Sequence, residues 1–314
     1  MSYKLLSYAS ERGPRAGLLV GQQVIDAADA TSNPAWSTVL GALQSWNKAH
    51  QAFSKVSEGS GMAHGQTLGQ THTQTLAQTK LLAPVLYPGD IYCAGANYQD
   101  HVDEMDRKSG RPKGKNMKEL GELPWFFVKS GRSAVVGPGA AVQLPAYSNA
   151  VDWELELTAV IGQEVRNVSA KDALDCIAGY TIANDLSARD AMKRAKVDTS
   201  SPFQYDWLSQ KCFDGACPIG PWIVPAADVG DPHNLDMKLW IGDELMQDSN
   251  TQEMIFNIAE QIEMLSSRVT LYPGDLVLTG TPAGVGAARK RFLKPGEELR
   301  LYIEKLGEFS HSVV

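Results

Sequence analysis

The stretch VDWELELTAV, residues 151–160, constrains this chain more than any other. Side chains of a β-strand alternate between two faces, so Asp152, Glu154 and Glu156 line one side while Trp153, Leu155 and Leu157 line the other. Same-face neighbours lie about 7 Å apart at the backbone, close enough for two glutamates to converge on one point, and costly if both stay charged and buried. Two arrangements resolve this: an acidic face left in water, or a hard divalent cation held by carboxylate oxygens. Choosing between them needs a third ligand and a substrate site.

The rest of the chain reads as strands and turns with few helices. LYPGD occurs at residues 86–90 and again at 271–275, each time ahead of an apolar strand (IYCAGA, then LVLTGTPAG), which marks a Pro-Gly turn used twice rather than a repeat. Residues 1–26 predict short strands about a turn at Gly13 to Gly17, and residues 36–56 carry apolar positions at helical spacing. A polar linker follows, with His64 and His72 read as solvated. Asn250 and Glu253 have capping-box spacing ahead of MIFNIAEQIEMLSS, a helix expected to cover a sheet, and KDALDCIA, residues 171–178, predicts a shorter helix. Strands that do not alternate regularly with helices predict an α+β fold. The boundaries expected are a small N-terminal module and linker over 1–80 and a larger domain over 81–314.

Composition limits the partners. A net charge of −7 argues against nucleic acid and anionic membrane, so a small molecule is the expected ligand. The opening MSYKLLSYASERGPRAG lacks the apolar core of a signal peptide and no apolar run approaches about 20 residues, so a cytoplasmic location is expected. Cys93, Cys176, Cys212 and Cys217 form neither CxxC nor a zinc pattern and are expected as reduced thiols.

Several stretches offer reactive groups. YTIA runs into Asn184, Asp185, Ser187, Arg189 and Asp190 at a strand end, where Asp185 is either a third oxygen ligand or a turn residue. His101 and Glu104 are three apart, on one face if helical; they are a water-activating pair or simply a polar surface. The lysine-rich and arginine-rich segment 106–124 reads as a mobile basic lid or a solvated loop. Lys211 precedes a proline-punctuated stretch and suits a substrate carboxylate or a developing oxyanion. LVLTGTPAGVG, with Thr279 and Thr281, lacks the order of a nucleotide loop, and its glycines allow close backbone approach to a small ligand.

Taken in order, NYQDHVDEM, VDWELEL, NDLSARD, QKCFDGACPIGPW and LTGTPAGVG resemble the fumarylacetoacetate hydrolase family, in the bacterial branch with acylpyruvate hydrolases and 2-oxo acid isomerases and hydratases. The resemblance spans about residues 84–314. It implies a mixed β-sheet roll, a homodimer, and a divalent cation on Glu154, Glu156 and Asp185: magnesium first, with manganese or calcium as alternatives. Asp152 is then a neighbour of the ligand set or turned to solvent. The resemblance assigns His101 and Glu104 to water activation, Lys211 to catalysis, and Thr281, Lys129 and Arg189 to substrate binding. Met192 stands where some members carry a substrate-binding glutamine. The activity implied is hydrolytic carbon–carbon cleavage of a 1,3-dicarbonyl 2-oxo acid in aromatic-compound catabolism. Decarboxylation, isomerisation or hydration of 2-oxo acids is the enzymatic alternative, and a noncatalytic metal-carrying binding protein the alternative of another class.

Overall fold

The computed structural model describes residues 2–60 and 72–314. Its strands in chain order are β1 Lys4–Ser10, β2 Gly13–Val20, β3 Gln23–Asp26, β4 Thr73–Thr75, β5 Ile91–Ala94, β6 Phe126–Lys129, β7 Val135–Val136, β8 Ala141–Val142 and β9 Val151–Asp152, followed by β10 Leu155–Ile161, β11 Ile177–Asn184, β12 Ser187–Ala188, β13 Cys217–Pro225, β14 Asp236–Ile241, β15 Glu244–Asn250, β16 Leu276–Leu278, β17 Glu298–Ile303 and β18 Gly307–Val313. An eleven-stranded sheet runs β4-β3-β2-β1-β13-β11-β10-β16-β5-β6, with β7 beside β13. Five strands, in the order β15-β14-β17-β18-β8, form a second sheet, and β12 pairs with β9. Parallel pairs (β5 with β16, β7 with β13, β8 with β18) sit among antiparallel ones, so the sheets are mixed and the class is α+β.

Burial explains the layering. Every residue of β10 and β11 is buried, as expected of strands covered on both faces. In β14 and β17 buried and more exposed positions alternate, and Met237, Leu239, Ile241, Leu299, Leu301 and Ile303 join the core cluster that holds Leu155, Leu157 and Ile182. The second sheet therefore lays one face on the first. Both LYPGD turns feed strands as their composition predicts, and they lie side by side: β5 and β16 are parallel partners, and Asp275 Oδ1 accepts the Asp90 amide at 3.0 Å.

The leading strands form as predicted, but the turn is at Glu11–Arg12, with Gly13 already in β2. β1 then pairs with β13 (Leu5 opposite Ile223), which joins these strands to the large sheet. After α1 Ala27–Thr31, helical spacing over 36–56 is realised as α2 Val39–Leu43 and α3 Trp46–Ser60, broken at Gln44 and Ser45. His64 lies outside the described residues, whereas His72 is exposed beside β4, whose three residues turn the end of the predicted linker into an edge strand.

Two helix expectations are corrected. Asn250 caps only a single 3₁₀ turn, Thr251–Glu253; the reciprocal capping box is Asn257 with Glu260, which starts α7 at Ile258–Arg268. Both sites offer Asn-x-x-Glu, but Ile258, Ile262 and Leu265 reach the core only when the helix starts at the second. KDALDCIA is a 3₁₀ turn at Ala173–Cys176 that enters β11 directly, because β-sheet pairing begins at Ile177.

Candidate metal and catalytic centre

The acidic stretch is not one continuous strand. β9 ends at Asp152 and β10 starts at Leu155, and in the gap side chains replace the ladder: Asp152 Oδ1 accepts the Trp153 amide, Asn184 Oδ1 the Glu154 amide and Gln247 Oε1 the Leu155 amide. Leu155 sits opposite Asn184 in the β10–β11 ladder, so Asp185, one residue beyond, lands next to Glu154 and donates its amide to the Glu154 carbonyl at 2.8 Å. Glu154, Glu156 and Asp185 are all buried, and each offers a carboxylate oxygen within 4.8 Å of the others.

Cations surround them. Lys211, at the end of α5 Trp207–Lys211, donates to Glu154 Oε2 (2.7 Å) and Asp185 Oδ2 (2.6 Å). Lys129, at the end of β6, donates to Asp185 Oδ1 (2.5 Å) and the Leu186 carbonyl (3.0 Å). The pairing of β12 with β9 sets Arg189 against Asp152 (2.9 Å) and Glu154. Burial disfavours the charge on Glu154, but Arg189 and Lys211 outweigh it and hold this carboxyl well below its ordinary range. Lys211 is likewise penalised by burial yet pushed up by Asp185 and Glu154.

Glu156 is the exception. Among the described residues its one hydrogen bond is from the Gly280 amide (2.7 Å), and burial, then Asp185 and Glu154, push its carboxyl well above the ordinary range. Asp152, Glu154 and Asp185 are thus ion-paired with Lys129, Arg189 and Lys211, while among the described residues Glu156 has no ion pair. This buried all-oxygen set fits a hard divalent cation, whose charge would favour the ionised form of Glu156. Asp152 is not turned to solvent: it is fully buried and accepts the amides of Gly286 (2.6 Å) and Ala287 (2.9 Å) besides Arg189.

His101 and Glu104 lie on α4 Gln99–Ser109, as their spacing predicts, but no hydrogen bond joins them. Glu104 Oε2 instead accepts the Gly284 amide at 2.8 Å. Among the described residues the buried His101 Nδ1 has no hydrogen-bond partner. Burial lowers the pKa of this imidazole, with Glu154 and Arg189 acting on it in opposite senses, so both lie within its electrostatic reach. Thr281 Oγ1 donates to the Leu155 carbonyl (3.0 Å) and accepts from Gln247 (2.9 Å), tying its turn to β10. In segment 106–124, Arg111, Lys113 and Lys118 form exposed pairs with Asp106, Asp103 and Glu260, which set the segment beside α4 and α7. Met192 contributes its carbonyl to the amide of Asp206, the N-cap of α5.

Sequence reasoning took the glycines of LTGTPAGVG as room for a ligand. In the structure their amides hold carboxylates: Gly280 on Glu156, Gly284 on Glu104, Gly286 on Asp152. Gly280 and Gly284 have φ of +98° and +102°, and a Cβ on Gly284 would sit 2.1 Å from the Met246 carbonyl oxygen. Gln247 and Asn97 were also missed, and Asn184 was named at its strand end without its role of capturing the Glu154 amide. Their residue types carry no signal of their own, since each acts by capturing backbone groups of other segments.

Residues 90–314 match the family described as "Fumarylacetoacetate (FAA) hydrolase C-terminal". The mitochondrial oxaloacetate tautomerase FAHD2B of Homo sapiens is 41% identical over 235 residues, 74% of this chain and 69% of that protein. The 2,4-didehydro-3-deoxy-L-rhamnonate hydrolase of Sphingomonas sp. (strain SKA58) is 42% identical over 227 residues, 71% of this chain and 73% of that protein. Among solved structures, maleylpyruvate hydrolase from Sphingobium sp. SYK-6, in complex with manganese(II) and pyruvate, superposes with a TM-score of 0.73 at 29% identity, over 99% of this chain and 98% of that one.

Proposed function

Because this chain belongs to the fumarylacetoacetate hydrolase family, we propose that it is a metal-dependent enzyme that hydrolyses a carbon–carbon bond in a 1,3-dicarbonyl 2-oxo acid, an acylpyruvate. The observation that carries the reading is His101: a buried imidazole, kept neutral by burial, with Nδ1 unpartnered and in electrostatic reach of the carboxylate cluster. A structural histidine would have spent that nitrogen on a hydrogen bond. Support for the substrate class comes from the Sphingobium relative, which holds manganese and pyruvate.

Glu154, Glu156 and Asp185 would hold the cation, magnesium by preference, since carboxylate oxygens suit a small hard ion. When bound, such an ion supplies Lewis acidity for chelating a 2-oxo acid and stabilising an enolate. His101 takes a proton from water at Nδ1, and the hydroxide attacks the distal carbonyl. As the carbon–carbon bond breaks its electron pair stays with the pyruvate enolate, which recovers the proton at carbon. Lys211, already charged at the cluster, neutralises the negative charge that builds on oxygen.

A second reading is tautomerisation of oxaloacetate, favoured by the Homo sapiens relative and by Glu104 being engaged with Gly284 rather than His101. A lone base suffices to move a proton between carbon and oxygen. Purified protein with magnesium or manganese, assayed against acylpyruvates for pyruvate release and against oxaloacetate for loss of enol absorbance, decides between them. Pyruvate release that needs metal and His101 supports hydrolysis; enol–keto exchange without bond cleavage replaces it with the tautomerase.

A further inference from the structure

Beside the carboxylate cluster three aromatic rings, Phe127, Trp207 and Trp125, touch one another in a single group, with Trp125 also 6.1 Å from Phe127. Lys211 Nζ, 2.6 Å from Asp185, lies 4.5 Å from the centroid of the Phe127 ring. Phe127 stacks on Trp207 (5.5 Å, 16° between planes), and Trp207 meets Trp125 edge-on at 5.5 Å. Trp207 and Lys211 are one turn apart on α5, so one short helix presents both the cation and an indole.

These rings are placed by the scaffold. The Trp125 indole lies on the backbone of Gly95, where a Cβ would fall 2.0 Å from the ring, and the Gly95 amide donates to the Trp125 carbonyl at 3.1 Å. Asp206 caps α5 through the Ser209 amide and is itself held by the Met192 carbonyl, fixing the angle at which Trp207 emerges. Yet Trp125 is 42% and Trp207 39% exposed, although both are large rings held in fixed positions. Fixed, half-exposed aromatic surface next to a charged centre is what binds the apolar end of a ligand whose polar end is held at that centre.

We propose that Phe127, Trp207 and Trp125 form an aromatic shelf for the acyl end of the substrate, and that the enzyme selects 2-oxo acids whose distal group is planar and apolar, aryl or conjugated alkenyl. This rests on the reading that a 2-oxo acid is held at the carboxylate cluster. In an acylpyruvate so held, the substituent on the distal carbonyl lies several bonds beyond the chelated end, and the aromatic surface within that reach is Phe127, which borders Lys211. A planar group there stacks on Phe127 and Trp207, whereas a carboxylate or methyl group leaves that surface wet.

The test is calorimetric binding of two non-cleavable ligands, phenylpyruvate and pyruvate, to the full-length protein in excess manganese. Wild type is expected to bind phenylpyruvate about tenfold more tightly than pyruvate, Trp207→Ala to lose that preference, and Trp207→Phe to restore most of it. A melting curve for each variant checks that it is folded. Equal affinity for the two ligands in wild type, or a preference that survives Trp207→Ala, overturns the shelf and leaves the 2-oxo acid reading intact. If neither ligand binds, both fall together. As a kinetic counterpart, Trp207→Ala should lower the ratio of kcat/KM for benzoylpyruvate over acetylpyruvate about tenfold, and an equal loss on both substrates contradicts a selective role.

Discussion

Among the carboxylates of the cluster Glu156 has the least support, one backbone amide against burial and two neighbouring carboxylates. Removing its charge should stabilise the metal-free protein while abolishing its affinity for cations. Glu156→Gln is therefore expected to raise metal-free stability by about 1–3 kcal/mol in urea unfolding and to weaken manganese binding, measured calorimetrically, by roughly a hundredfold or more. The pH dependence has a definite sign. A carboxyl raised on folding binds more protons folded than unfolded, so the stability it contributes is present below its ordinary value of 4.5 and is lost as pH climbs. The advantage of the glutamine variant over wild type should widen from about pH 4.5 upward; a constant difference would mean that Glu156 is not raised. His101 works in the other direction, its pKa lowered by burial, so catalysis by its neutral form should persist below pH 6.5, and His101→Ala should cut kcat/KM on the order of 10²–10⁴.

The decisive element is the turn that follows β16. Its glycines place amides on Glu156, Glu104 and Asp152, three carboxylates carried by three different segments, so the turn sets the spacing of the whole centre. Gly284→Ala must accommodate both a positive φ and a Cβ 2.1 Å from the Met246 oxygen, and is expected to cost about 2–4 kcal/mol by urea unfolding. Activity should fall further than the folded fraction does, because the Glu104 contact goes with the backbone shift. Full activity in the folded fraction would remove the turn from the catalytic architecture. Asp152 shows the same logic: a residue that the family resemblance leaves beside the ligand set or in solvent is, in the fold, the joint between Arg189, α8 Gly286–Arg289 and the cluster.

At the scale of the molecule, the first 26 residues extend the large sheet through the β1–β13 pair, and Tyr3, Leu5 and Leu18 share one core cluster with Leu155 and Ile219. Deleting residues 1–80 would bare one edge of β13 and the apolar face beneath it, as an unpaired strand edge and exposed core invite association. A fragment spanning 81–314 is expected to aggregate on expression or to elute as large species in size-exclusion chromatography. A monodisperse fragment with a cooperative melt would show that the catalytic sheet does not need its leading strands. Among the described residues no helix is long and apolar enough to cross a membrane.

By itself the sequence determined the local choices: the strand and turn pattern behind an α+β fold, the LYPGD turns, the helical spacing of α4, and through its ordered motifs the family and the trio of carboxylates, Glu154, Glu156 and Asp185, that the fold gathers. Those features depend on residue type and on spacings of a few positions, which a linear text preserves. Tertiary structure decided which Asn-x-x-Glu starts α7, since only core contacts distinguish two similar caps, and where the acidic strand breaks, since its amides are taken by Asn184 and Gln247. It also decided that Glu104 answers to Gly284, that Asp152 is buried, and that rings from 125, 127 and 207 meet in one group. Each of these is a meeting between segments brought together only by sheet pairing, and no periodicity in the chain encodes a contact of that range.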